Sequence, residues 1–130
     1  MASIQARIML KALQLKPFSW VKGSLAEQRS RQEKTTRFLK INKDVTVKKL
    51  YIDRIPAELI DVPRSRDGVI LYLHGGAYAV GSARVHREFL SRLAKACQLK
   101  VLAIDYRLAP EHPFPAALED TLSAYQWLLS

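Results

Sequence analysis

Two stretches of this 130-residue chain hold residues whose types and spacing could do chemistry. The first is His74-Gly75-Gly76-Ala77-Tyr78, followed by Gly81-Ser82, and it comes directly after the apolar run Val69–Leu73. Adjacent glycines at the C-terminal end of a strand let backbone N–H groups turn outward, because no Cβ blocks the approach. That end of an open α/β sheet is where ligands bind. N–H groups aimed there can receive a carbonyl oxygen as it becomes an oxyanion, an effect worth roughly 3–4 kcal/mol per donor. A plain glycine turn and a phosphate cradle are the rival readings. The cradle lacks its usual signatures, since neither Gly-Lys-Ser/Thr nor G-x-G-x-x-G occurs. The second stretch, Asp105-Tyr106-Arg107-Leu108-Ala109-Pro110-Glu111-His112-Pro113-Phe114-Pro115-Ala116-Ala117, follows the next apolar run, Val101–Ile104.

In this order and spacing, His-Gly-Gly-Ala-Tyr and Asp-Tyr-Arg-Leu-Ala-Pro-Glu resemble the hormone-sensitive-lipase-like branch of the α/β-hydrolases, the bacterial class IV esterases, from about Val69 to Leu129. The resemblance implies a carboxylic-ester hydrolase that works on a small to medium acyl ester through an acyl-serine intermediate, with no metal and no organic cofactor. It makes Gly75, Gly76 and Ala77 the oxyanion loop, with the N–H groups of Gly76 and Ala77 as donors, and His74 a brace for that loop. Ala77 stands where many relatives carry a third glycine; the N–H survives the change. Tyr78 either lines the pocket or packs. Asp105, Tyr106, Arg107, Pro110 and Glu111 form the second, structural motif. The basic leading helices resemble the N-terminal part of a cap over the acyl pocket.

The nucleophile of that fold sits in G-x-S-x-G, with its acid and base further along the chain. The five glycines here are Gly23, Gly68, Gly75, Gly76 and Gly81, and none frames such a pentapeptide. No member of the triad is therefore expected in this chain, which reads as the front of a larger enzyme and as inactive alone. His86 and His112 do not replace the base: the first falls on the opening turn of a helix, the second between Glu111 and Pro113. The alternative is a non-catalytic, small-molecule-binding or truncated protein on the same scaffold.

The elements that must position these stretches follow from pattern. The fold class expected is α/β, the N-terminal part of an α/β-hydrolase fold: a β-hairpin leading into a parallel sheet with flanking helices, preceded by a helical cap segment. Residues 1–42 would be the cap segment and residues 43–130 an incomplete core. A short helix over residues 3–15 should end before Pro17. Ser24-Leu25-Ala26-Glu27 is a capping-box pattern, and the helix it opens should reach about Lys40 with Glu27/Arg31 and Glu33/Arg37 pairs. Val45 to Ile60 reads as two strands joined tightly at Asp53-Arg54. Val69–Leu73 is apolar on both faces, as a strand buried between two layers must be, and Lys100–Ile104 repeats that pattern. Between them, a helix capped by Ser82 should bury Val85, Phe89, Leu90, Leu93, Ala96 and Cys97, and expose Arg84, Glu88, Ser91, Arg92 and Lys95. Strand, helix, strand of this kind is a βαβ unit. A last helix from near Pro115 should bury Leu118, Leu122, Tyr125 and Leu129. Arg107 should pair with Glu111, Glu119 and Asp120.

The net charge of +9 is confined to one end. Residues 1–49 hold twelve Lys/Arg against three Asp/Glu, whereas residues 50–130 hold nine of each. The basic end carries no nucleic-acid recognition motif and no regular aromatic interleaving, so no nucleic-acid partner is expected. No apolar run approaches the roughly 18–20 residues of a membrane span, which excludes integral membrane association. Arg7, Lys11 and Lys16 interrupt any secretory core. The single cysteine, Cys97, rules out an internal disulfide framework and suits a cytoplasmic location. An apolar strand left at a sheet edge would favour self-association.

Overall fold

The computed structural model describes residues 23–130, so the helix expected over residues 3–15 lies outside the described residues. Helix α1 (Leu25–Thr35) opens with the capping box: the Glu27 N–H donates to Ser24 Oγ at 3.3 Å, and the Ser24 N–H donates to Glu27 Oε2 at 2.7 Å. It ends earlier than its pattern suggests, in a single 3-10 turn at Thr36–Phe38, and buries no residue. The hairpin follows as β1 (Thr46–Ile52) and β2 (Ile55–Asp61), with Ile52 opposite Ile55 across the Asp53-Arg54 turn. Asp53 there takes φ 52°, a left-handed conformation that aspartate tolerates better than most residues.

Strand β3 (Val69–Leu73), helix α2 (Ala83–Cys97) and strand β4 (Lys100–Ile104) form the βαβ unit, with β3 and β4 parallel and Leu71 aligned with Leu102. The sheet order is β1-β2-β4-β3, and β2 pairs antiparallel with both β1 and β4. Alternation along the strands supplies two cores. Ile60, Val62, Val101 and Ala103 meet Ala83, Leu90 and Ala94 of α2 on one face. On the other face Ile52, Ile55, Ala57, Leu102 and Ile104 meet Tyr106 and Ala124 of α3 (Ala116–Leu129). Full burial of a side chain such as Leu90 or Leu102 stabilises by about 1.5–3 kcal/mol.

Two expectations about burial fail, each for a physical reason. The buried residues of α3 are Ala116, Asp120 and Ala124; Leu118, Leu122, Tyr125 and Leu129 are all exposed. Small residues let the helix lie close to the sheet, and Asp120 is held in by Arg107, which turns the bulky stripe outward. Helix α2 buries Leu90 as expected but departs from its pattern elsewhere. Ser91 is buried, with its hydroxyl on the Glu88 carbonyl, while Phe89 and Ala96 are exposed. Arg87 on its inner side forks onto the buried Glu58 of β2, with Nε donating to Oε2 at 2.7 Å. Strand β3 lies between the two layers as expected, with Leu71 against one cluster and Ile70 and Tyr72 against the other, but among the described residues it pairs with β4 alone, and Val69 and Leu73 at its ends are exposed. The Glu33/Arg37 pair is also replaced: Glu33 accepts from the Ser82 hydroxyl and faces Arg84.

Candidate active site

The glycine loop begins where β3 ends. Gly76, at φ 135°, cannot carry a side chain, because a Cβ would stand 1.9 Å from the Val80 carbonyl oxygen. Gly81, at φ 97°, is equally constrained, with a Cβ only 2.3 Å from the Gly75 oxygen. Gly75 differs: nothing lies within 4 Å of the place its Cβ would occupy. Ala77 and Tyr78 take φ 53° and 59°, two successive left-handed residues without glycine's freedom.

The hydrogen bonds of the loop are lopsided. The Gly76 carbonyl accepts from the N–H groups of both Ala79 and Val80, and the Tyr78 carbonyl accepts from the Ala109 N–H at 2.8 Å. Among the described residues, the N–H groups of Gly75, Gly76, Ala77 and Tyr78 donate to no backbone carbonyl. All four residues line a cavity of about 670 Å³, together with Leu73, His74, Tyr106, Phe114, Leu118 and Thr121. That volume falls within the range of small-molecule sites.

His74 is buried beneath the loop and lies flat against Tyr106, with ring centroids 4.3 Å apart. Its Nδ1 is 3.0 Å from the Gly75 carbonyl; a carbonyl only accepts, so Nδ1 carries the proton and donates. Nε2 is then an acceptor, buried and without a partner. Burial holds the imidazole below its usual pKa, against the Gly75 bond that favours the charged form, so the ring is neutral at pH 7. The His74 carbonyl accepts from the Tyr106 hydroxyl at 2.5 Å.

The second motif explains itself through these contacts. Tyr106 supports the first loop through His74, and the Ala109 N–H supports it through Tyr78. Asp105 accepts from the Ala83 N–H at 2.6 Å, at the start of α2, while burial pushes its carboxyl pKa up. Ser82 caps the same helix by accepting from the Val85 N–H at 3.2 Å. Arg107 joins the motif to α3, donating from Nε to Asp120 at 2.9 Å and from Nη2 to Glu119 at 3.0 Å.

One sequence expectation fails here. Glu111 pairs with Arg29 of α1 rather than with Arg107, through Nη1–Oε1 at 2.8 Å and Nη2–Oε2 at 2.9 Å. That fork holds the Glu111 carboxyl at a pKa of about 2. Arg29 also donates from Nε to the Ala79 carbonyl and from Nη2 to the Ala109 carbonyl, each at 2.8 Å. Arg29 was not legible as a site residue, since its partners lie at least 50 positions away. His86 and His112 do not join a catalytic group: His86 Nδ1 is 3.0 Å from the Ser82 carbonyl, and His112 sits on the cavity wall. Cys97 is half-buried at the end of α2. Among the described residues, no three His, Cys, Asp or Glu side chains cluster as metal ligands, and no helix is long and apolar enough to cross a membrane.

A hairpin feeding a parallel βαβ unit, with a glycine loop at the strand ends, is the front of an α/β-hydrolase sheet. Comparison with known proteins agrees with this class. The alpha/beta hydrolase fold family matches residues 70–130. An acetyl-hydrolase of Streptomyces hygroscopicus is 53% identical over 68 residues, which cover 52% of this chain and 23% of that protein. An esterase of Acinetobacter venetianus is 36% identical over 88 residues, covering 68% of this chain and 29% of that protein. The crystal structure of an esterase from the bacterial hormone-sensitive lipase family superposes with a TM-score of 0.81 at 40% identity, over 99% of this chain and 44% of that one. The chain has an α/β-hydrolase fold and is similar to the hormone-sensitive-lipase-like esterases of that superfamily. It spans less than half the length of these relatives.

Proposed function

We propose that this chain contributes the oxyanion loop of a serine carboxylesterase acting on small to medium acyl esters. The observation that carries the reading is the lopsided loop, whose carbonyls at residues 76 and 78 are occupied while the N–H groups of residues 75–78 are left over beside the cavity. Gly76 and Ala77 would donate to the developing oxyanion, and His74 would brace them from below through Gly75 and Tyr106. The empty space beside Gly75, which its own packing does not require, suits an acyl group lying over the loop. Tyr78, two-thirds exposed on the rim, would line that pocket rather than pack. His74 is no general base in this reading, because its free nitrogen is sealed from solvent.

The nucleophile, acid and base would come from sequence outside these 130 residues, since no G-x-S-x-G occurs within them. Residues 1–42 would belong to the cap and residues 43–130 to the catalytic core. The lone cysteine fits a reducing compartment, and the cytoplasm is the proposed location. The outer edge of β3 and the outward stripe of α3 would pair with a second copy of the chain when nothing else covers them. The test is hydrolysis of p-nitrophenyl acetate. Turnover is expected from the product of the open reading frame taken to its own stop codon, and none from residues 1–130 alone. Turnover by the 130-residue chain that survives repurification, or no turnover by the longer product, would sink the reading.

A further inference from the structure

Two successive left-handed residues that are not glycine persist only where their surroundings over-determine them. Ala77 and Tyr78 are held from inside the loop by the Gly76 carbonyl and from the second motif by the Ala109 N–H. The third restraint comes from α1, a helix with no buried residue of its own. Arg29 Nε takes the Ala79 carbonyl, Nη2 takes the Ala109 carbonyl, and both terminal nitrogens grip Glu111. One turn further along α1, Glu33 Oε1 accepts from the hydroxyl of Ser82 at 2.5 Å. The helix thus brackets the loop at residues 79 and 82. A planar guanidinium presents its donors in a fixed fork, and a lysine ammonium does not reproduce that arrangement.

We propose that Arg29 is a positioning residue: it draws the Ala79 carbonyl outward and locks it to the Ala109–Glu111 turn, which keeps the N–H groups of residues 75–78 on the cavity side. This deepens the ester-hydrolase reading and rests on it for the loop's purpose, though not for its geometry. A thin, basic helix acquires a role that its lack of core residues leaves unexplained.

The test is residue-resolved amide exchange on the full chain, as wild type, Arg29→Lys and Arg29→Gln. In Arg29→Gln the amides of Ala79, Val80 and Ala109 should exchange roughly tenfold faster or more, while those of Ile60 and Leu102 stay within about twofold. Arg29→Lys should fall between, since the ammonium keeps the charge but not the fork that reaches both carbonyls and Glu111 at once. Equal acceleration in the loop and the sheet would mean a general loss of stability, and no acceleration would mean no restraint; either overturns the proposal. The second arm is steady-state ester hydrolysis by the longer product, where Arg29→Gln should lower kcat by about tenfold to a hundredfold with little change in KM. A raised KM at unchanged kcat would overturn it as well. Exchange needs no turnover, so failure of hydrolysis in the wild type would remove the esterase reading while the amides still decide the role of Arg29.

Discussion

Strands β3 and β4 lie side by side, run parallel and are each five residues of largely apolar sequence, yet only β4 is a core strand. Val101, Leu102, Ala103 and Ile104 are fully buried, whereas Val69 and Leu73 remain 41% and 44% exposed. Composition does not separate the two; neighbours do. Strand β4 has β2 on one side and β3 on the other, and a helix against each face. Among the described residues, strand β3 pairs with β4 alone. The helices repeat the contrast, since α2 turns Leu90 inward and α3 turns Leu118, Leu122, Tyr125 and Leu129 outward. The molecule has a finished side built on β2 and β4, and an open side on which the cavity, the glycine loop and the bare apolar surface meet.

The largest effect should separate the two strands directly. Leu102→Ala removes a fully buried side chain and is expected to destabilise by about 2–5 kcal/mol. Leu73→Ala, on the half-exposed strand, should cost about 1 kcal/mol or less. Urea titrations of both variants provide the measurement. Equal costs would mean that the edge of β3 is covered in solution, and the contrast would collapse.

The open side should also show itself through association. Sedimentation velocity on residues 1–130 should reveal concentration-dependent self-association. Val69→Lys with Leu122→Glu, which places charge on the strand edge and the helix stripe, should weaken it by about tenfold. A wild-type chain that is monomeric and melts cooperatively would contradict the open-side description.

Much of the fold is legible in the sequence. The limits of β3 and β4 follow from their apolar runs, the hairpin from Asp53-Arg54, and the α1 start from Ser24 and Glu27. The two motifs are legible one by one, but the contact between them, the Tyr106 hydroxyl on the His74 carbonyl, is seen only in the structure. The facing of α3 is not legible, because hydrophobic periodicity weighs bulky residues and overlooks a seam of Ala116, Asp120 and Ala124 that packs closer. Nor is Glu111's partner. Its near neighbour Arg107 is engaged by Asp120 and Glu119, and Arg29 arrives from 82 positions away.

Within the open side, the loop carries strain that glycine would relieve. Ala77→Gly removes a left-handed Cβ and should raise stability by about 1 kcal/mol in thermal or urea unfolding. Were the variant less stable, the φ of 53° at Ala77 would not be the loop's conformation in solution.

The smallest effect concerns the link between the finished side and the loop. The Arg29 fork lowers the Glu111 pKa from its ordinary 4.5 to about 2, so the unfolded chain takes up this proton at higher pH than the folded one. Stability from the pair is therefore complete above about pH 4.5 and lost as pH falls through about 2. Both partners reach solvent, and salt screening keeps such a contribution small. Glu111→Gln isolates it from the other carboxylates. Wild type should be the more stable of the two at pH 7, and the gap should close between pH 4.5 and 2. A gap that stays constant across this range would show that Glu111 acts through packing and not through charge. The Arg29 bridge would then depend on the two carbonyls at Ala79 and Ala109 alone.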